Sequence, residues 1–224
     1  MYLKWDEKTI SDFSDENINQ LYNQGYFFSR AGKGIVYQTR SIRIDLSKFK
    51  LTSENRRILK KNESVFLKSE AIPYSQYNWE IGKMGKEFYT TKFGDGTFSA
   101  NKIKELVTNP EKSNFNTLYT YTIEGNQVGY TICLENKNFL HYCYPFYLIR
   151  NSSIKEYSLP STIGLGMMTK AIVRAQEDGK KYVYLGSAQR PSDTYKLQFE
   201  GLEWFDGVGW KRDVGELKAI LKNI

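Results

Sequence analysis

The sequence predicts an α/β protein, in which a mixed, largely antiparallel sheet is flanked by helices and preceded by a smaller N-terminal α+β lobe. Three strand-like segments, 117–123, 127–134 and 139–148, are rich in β-branched and aromatic residues and are joined by short turn sequences. A glycine-rich helix start at 161–166 follows them. Of the 224 residues, 40% are hydrophobic and 15% aromatic, which supports a substantial core and argues against disorder.

Composition changes near residue 75, where we place a domain boundary. The lobe is predicted to span residues 1–75 and the second domain, with the large sheet, residues 76–224. Residues 73–85 have the composition of a segment that connects the two domains. Residues 93–98 have the composition of a second loop.

The N-terminal lobe contains two predicted helices and a strand. The first helix follows Ser14, a residue type that caps helix N-termini, and ends at Gly25. Residues 35–46 alternate loosely between apolar and polar types, as a strand does. Thr52-Ser53-Glu54 then opens a basic helix with the sequence NRRILKKN.

The second domain opens with a short helix that Ser99 caps and the Asn109–Pro110 pair ends. After the three strands, the segment STIGLGMMTKAIVRAQEDG places apolar residues on one helical face and ends at Gly179. The segment KYVYLGS is the next strand, and the aromatic segment LEWFDGVGW is another. Asp213 with Glu216 forms a capping box for the last helix.

This order of elements resembles that of the GNAT acyltransferases. In that topology a three-stranded meander leads into a helix, and the strand after the helix pairs in parallel with the last meander strand. A helical crossover is what a parallel pairing requires. The resemblance implies a GNAT-like acyltransferase core for residues 76–224.

Charge and composition narrow the classes of partner. The net charge is +7 and the sequence pI is about 9.1, which favours an anionic partner: nucleic acid, a nucleotide cofactor or an acidic peptide. No segment has the length and apolarity of a membrane span or a signal peptide, so we expect a cytoplasmic protein. Cys133 and Cys143 are the only cysteines, and no metal site is expected.

The helix start Ser161-Thr162-Ile163-Gly164-Leu165-Gly166 has two interpretations. Glycines leave backbone N–H groups uncovered, and the helix dipole adds partial positive charge, so Gly164 and Gly166 are predicted to bind a phosphate of the donor. The pattern resembles the acyl-CoA loop of GNAT proteins, with Ser161 where that family has Arg or Gln. Alternatively, the glycines only allow close packing of helix on sheet.

Two blocks resemble a narrower family, the arginyl- and leucyl-tRNA–protein transferases. Residues 21–62 contain a Gly-aromatic step at Gly25-Tyr26, a basic strand, and the basic helix segment SENRRILKKN. Residues 182–210 contain the segment YKLQF and an aromatic strand. This chain lacks the N-terminal cysteine cluster of that family, and it has Tyr144-Pro145-Phe146 where the family tends to have acidic residues.

The resemblance implies tRNA as the donor carrier, and the residues agree in part. Basic side chains four residues apart on a helix form one cationic face that can follow phosphates, although a solvated face is the plainer alternative. The predicted nucleic-acid contacts are Arg40, Arg43, Arg56, Arg57, Lys60 and Lys61. With the two glycines, the predicted donor-binding residues are Lys196 and Ser187. The predicted catalytic residues are Gln198, Tyr195 and Tyr144.

The function predicted from these patterns is transfer of an amino acid from aminoacyl-tRNA to an amine, the N-terminus of an acceptor protein or peptide, without a cofactor. Backbone N–H groups in 182–187 are predicted to stabilise the oxyanion, and the proton acceptor is Glu156, Asp193 or a water held by Tyr157 or Gln198. The alternatives are an N-acetyltransferase that uses acetyl-CoA and a non-catalytic relative that binds tRNA or peptide.

The only histidine, His141, lies in a strand beside aromatic residues and has no nucleophile at a recognisable spacing. We therefore expect it to be a packed strand residue rather than a catalytic base.

Overall fold

The computed structural model describes residues 3–149 and 159–224, which divide into two compact units. Among the described residues, the first unit lies within 1–53, 135–141 and 175–224, and the second lies within 54–134 and 142–174. The units alternate along the chain, whereas the sequence predicts domains that follow one another. The boundary at residue 75 stays a prediction.

The described residues contain eleven strands, six α-helices and a 3₁₀ helix at Pro191–Gln198. The helices are α1 (Asp15–Asn23), α2 (Ser53–Lys61), α3 (Trp79–Phe93), α4 (Ala100–Thr108), α5 (Ile163–Glu177) and α6 (Val214–Lys222). The strands are β1 (Asp6–Thr9), β2 (Tyr26–Phe28), β3 (Ile35–Gln38), β4 (Ser41–Asp45), β5 (Phe66–Ala71), β6 (Thr117–Ile123), β7 (Asn126–Glu135), β8 (Phe139–Tyr147), β9 (Tyr182–Ser187), β10 (Leu202–Phe205) and β11 (Trp210–Lys211).

The large sheet has the strand order β11-β10-β4-β9-β8-β7-β6-β5. Its antiparallel pairs include β5 with β6 and β4 with β9, whereas β8 and β9 pair in parallel. Because α5 lies between β8 and β9 in the chain, it supplies the crossover that a parallel pair needs. The predicted mixed α/β fold, with a meander, a helix and a parallel strand, is therefore confirmed.

The prediction of one strand over residues 35–46 is wrong. The chain bends at Thr39 and Arg40, so that β3 joins a small sheet of order β1-β3-β2 and β4 joins the large sheet. The Thr39 hydroxyl donates to the carbonyl of Leu3 and accepts a hydrogen bond from the side chain of Gln189, which fixes the bend. These partners are remote in sequence, so the local pattern does not contain them.

The connection predicted at residues 73–85 is also wrong in its second half, because α3 begins at Trp79. Asn78 caps this helix by accepting hydrogen bonds from the backbone of Glu80 and Ile81. Gly82 and Gly85 obscure the helical pattern. A Cβ at Gly85 would overlap the Ile103 side chain, so this glycine permits α3 to pack against α4.

Within the described parts of the chain, no helix has both the length and the apolar composition that crossing a bilayer requires.

Candidate functional site

The outer face of α2 carries the predicted phosphate-binding cations. Arg56, Arg57, Lys60 and Lys61 are all exposed, whereas Asn55 and Ile58 are buried on the opposite side. Residues three and four apart share a helical face, so the four cations form one surface, which we call the α2 basic face. Arg57 also forms a bidentate ion pair with Glu54, with N–O distances of 2.7 and 2.6 Å.

Asn62 connects the end of α2 to the start of α5. Its Nδ2 atom donates to the carbonyl of Ile58 at 2.8 Å and to the Thr162 hydroxyl at 2.9 Å. The side chain is fully buried, and its Oδ1 atom has no hydrogen-bond partner among the described residues. The α2 basic face and the N-terminus of α5 therefore belong to one connected structure in the second unit.

The two glycines of α5 face crowded surroundings. A Cβ at Gly166 would overlap the amide of Asn62, and a Cβ at Gly164 would lie 2.9 Å from the Tyr147 hydroxyl. The Gly166 N–H donates to the Thr162 carbonyl at 2.8 Å, as part of the helix. Close packing therefore accounts for a glycine at both positions, and the predicted phosphate contact stays a prediction.

In the first unit, the end of β9 brings together four of the predicted residues. Lys196 Nζ donates to the Ser187 carbonyl at 2.8 Å and lies 3.3 Å from the Asp193 carboxylate. Arg40 Nη1 lies 3.4 Å from the Ala188 carbonyl, and its buried Nε has no hydrogen-bond partner within the described ranges. Burial lowers the pKa of Arg40 below its ordinary value. The side chains of Lys196 and Arg40 thus approach the carbonyl groups of two consecutive residues, Ser187 and Ala188.

The backbone of β9 is irregular at this point. Ser41 pairs with Ser187 and Arg43 with Tyr184, so β9 has one residue more than β4 between the two pairs. Gly186 lies in this bulge with φ at +77°, a left-handed conformation that favours glycine. The parallel ladder with β8 ends at the pair His141–Tyr184, whereas β9 continues to Ser187. The predicted oxyanion donors lie in this stretch.

Two of the three predicted catalytic residues lie in the 3₁₀ helix that follows β9. Gln198 Nε2 donates to the Tyr195 carbonyl at 2.7 Å, and the Tyr195 side chain is exposed. Tyr144 belongs to the second unit, where its ring makes edge contacts with Phe98 and Phe115 at centroid distances of 5.4 and 5.5 Å.

Arg43 does not lie on the surface. Its guanidinium is held between the rings of Tyr182 and Trp210, at 4.0 and 3.9 Å from their centroids, and forms an ion pair of 2.8 Å with Glu203. Both charged side chains are buried. The structure therefore places Arg43 in a buried ion pair, in contrast to the cations of α2. Glu203 was not singled out from the sequence, because its partner is remote along the chain.

His141 is buried in the first unit, which confirms the expectation of a packed residue. Its Nδ1 lies 2.8 Å from the Tyr22 hydroxyl, with Phe27 at its edge. Burial, with a smaller contribution from Lys196, lowers the pKa of His141 to about 3. The ring is therefore neutral at physiological pH.

Of the predicted proton acceptors, Asp193 accepts hydrogen bonds from the backbone of Gln189 and Arg190. Glu156 and Tyr157 lie outside the described residues. Over residues 3–149 and 159–224, no group of three or more His, Cys, Asp or Glu side chains could bind a metal.

Comparison with solved structures finds chains that resemble this one at low sequence identity. The structure of L-PGS from Bacillus licheniformis is 14% identical, with a TM-score of 0.47, over 93% of this chain and 69% of that chain. FemX is 9% identical, with a TM-score of 0.43, over 78% of this chain and 60% of the FemX chain. A third structure contains the GCN5-related glucosamine N-acetyltransferase region of a fungal multi-domain GH3 β-N-acetylglucosaminidase. It is 10% identical, with a TM-score of 0.48, over 91% of this chain and 23% of that chain. No protein-family model and no curated protein matches the sequence.

Proposed function

We propose that this protein is an acyltransferase that moves an amino acid from aminoacyl-tRNA to an amine, the N-terminus of an acceptor protein. The observation that carries the proposal is the α2 basic face, where four exposed cations lie on one side of a helix. Contacts of this kind bind the phosphate backbone without reading its sequence. They suit a donor that presents many regularly spaced phosphates.

The chemistry of aminoacyl transfer makes modest demands on the protein. The donor is an ester, which the attacking amine converts to an amide while the tRNA hydroxyl leaves with a proton. The protein has to align the amine, stabilise the oxyanion and accept one proton. The backbone of β9 beyond Tyr184 is the proposed source of oxyanion donors. Lys196, close to Ser187, supplies positive charge beside it.

Gln198 and Asp193 have different proposed roles near this point. Gln198 is the residue that we propose orients the amine, directly or through a water molecule. Asp193 is the proposed proton acceptor, although its two oxygens already bind Lys196 and the backbone of Gln189 and Arg190.

An acetyl-CoA-dependent N-acetyltransferase is the second candidate, favoured by the position of Gly164 and Gly166 at the start of α5. The N–H groups of a helix start bind pyrophosphate well. Against it, the packing of Asn62 and Tyr147 accounts for both glycines, and an acetyl donor gives no role to the α2 basic face. A non-catalytic relative that binds tRNA or peptide is the third candidate.

The test offers both donors to the same protein. Labelled aminoacyl-tRNA pools and labelled acetyl-CoA are incubated separately with peptides that differ in their N-terminal residue, and label on the peptide is counted. We expect label to move from tRNA and not from acetyl-CoA. Transfer from acetyl-CoA alone would assign the second candidate. Retention of tRNA without transfer would assign the non-catalytic relative.

A further inference from the structure

The strand β5 of the second unit lies at the edge of the large sheet. It is the last strand in the order of the large sheet, and it pairs only with β6 among the strands that the structure describes. Phe66, Lys68, Ser69 and Ala71 are exposed, with Phe66 at 66%. A six-residue edge that carries a large exposed aromatic side chain is a template for another strand.

The alternation of hydrogen bonds along β5 shows which of its backbone N–H and C=O groups point away from β6. The Ile72 N–H donates to the Asn116 carbonyl at 2.9 Å, which continues the ladder of β5 with β6. In an antiparallel pair, bonded residues alternate with residues whose N–H and C=O groups point away. Counting back from Ile72, the backbone groups of Leu67, Ser69 and Ala71 point to the open edge.

The charges on β5 are arranged for self-pairing. Lys68 and Glu70 lie on one face and form an ion pair of 2.6 Å. If two copies of β5 align antiparallel about Ser69, each Lys68 lies opposite the Glu70 of the other copy. The same alignment pairs Ser69 with Ser69 and Leu67 with Ala71, so all three outward-facing residues form hydrogen bonds. The charged pairs then occupy non-hydrogen-bonded positions, where side chains approach most closely.

We propose that two copies of this chain associate through β5, antiparallel about Ser69, into a symmetric dimer. The backbone supplies the hydrogen bonds and the crossed Lys68–Glu70 pairs fix the register. A symmetric contact of this kind needs one surface that is complementary to itself, which the spacing of Lys68 and Glu70 on either side of Ser69 provides. Phe66 lies opposite Ile72 of the second copy and becomes covered.

The experiment measures the dissociation constant of the full chain by sedimentation equilibrium over a concentration series. Lys68→Glu places two carboxylates opposite each other in both halves of the contact, so we expect the dimer to weaken at least about tenfold. Glu70→Lys should have the same effect. The double variant Lys68→Glu/Glu70→Lys restores opposite charges and should recover dimerisation. Lys218→Glu, on the exposed face of α6, makes the same charge change elsewhere and serves as the control.

Ser69→Pro tests the backbone contribution without disturbing β6. The Ser69 N–H faces the open edge, where proline is tolerated, so the monomer should keep its fold while the dimer is lost. Circular dichroism of each variant checks the fold. A wild-type chain that stays monomeric throughout the series would overturn the proposal, as would a double variant that fails to recover. Protection of the Leu67, Ser69 and Ala71 amides from hydrogen exchange only on addition of an extended peptide would assign the edge to a peptide instead.

Discussion

Arg43 on β4 and the cations of α2 look alike in the sequence, yet the structure gives them opposite environments. Arg43 is buried, stacked between two aromatic rings and paired with Glu203. Arg56, Lys60 and Lys61 lie on the exposed side of a helix. A buried guanidinium with an ionic partner holds the fold together, whereas exposed cations on one helical face can contact a ligand.

The comparison shows that basic residues cannot be assigned to a binding surface by counting them. A short strand in the middle of a sheet is covered on both faces, and all five residues of β4 are buried. A helix at the surface buries only one side. The secondary structure on which a basic residue lies therefore indicates its role better than its neighbours in sequence do.

The largest expected effect concerns the buried ion pair. Glu203→Gln should destabilise the protein by about 3–5 kcal/mol, because it leaves the Arg43 charge buried without its counterion. Glu54→Gln removes the partner of Arg57 on the exposed face of α2 and should leave stability unchanged within error. Urea unfolding of both variants measures the difference. Equal effects would contradict the contrast between the two environments.

The second prediction concerns the pH dependence of stability in the first unit. His141 has a pKa of about 3 in the fold, against an ordinary value of 6.5, so the unfolded chain binds its proton at higher pH. The contribution of His141 to the free energy of unfolding is fully present above pH 6.5. It should fall by up to about 1.4 kcal/mol per pH unit as the pH drops toward 3.

The measurement for His141 is urea unfolding between pH 7 and pH 4. Other groups titrate over this range, so the comparison is with His141→Gln, which removes the ring and keeps a polar side chain near Tyr22. The wild type should lose more stability than the variant as the pH falls. Parallel curves would show that the ring is accessible to protons in the fold.

A smaller effect is expected where the structure connects α2 to α5. Gly166→Ala should lower the free energy of unfolding by about 1–3 kcal/mol, because the added methyl group overlaps the buried Asn62 amide. Replacing Asn62 by Ala in the same chain removes the overlap, so the double variant should lose less than the sum of the two single losses. Thermal unfolding of the three variants gives the coupling. Strict additivity would indicate that the two residues do not touch.

The sequence was sufficient for the elements with strong local patterns. The meander, the start of α5, the parallel strand β9 and the cap of α6 at Asp213 all follow from turn residues, periodicity and capping. It failed where distant contacts decide the local structure. The bend at Thr39 depends on Leu3 and Gln189, and Gly85 of α3 is explained by the packing of Ile103 from α4.

The candidate site could be predicted in part for the same reason. The face of α2 follows from helical spacing alone. The convergence of Lys196 and Arg40 on the end of β9 does not, because it requires the register of β4 against β9 and the bulge at Gly186. Glu203 and Asn62 gain their roles only from partners far away in the chain.

The most direct test of the account is the salt dependence of tRNA binding. The double variant Arg56→Gln/Lys60→Gln is compared with the wild type and with Lys218→Gln/Lys222→Gln, which removes the same charge at the same spacing from the exposed side of α6. We predict that the α2 variant binds more weakly and that its slope of log K against log salt is shallower by about 2, roughly one per lost phosphate contact. The α6 variant should match the wild type. Equal slopes for the two double variants would contradict the claim that α2 binds the tRNA backbone.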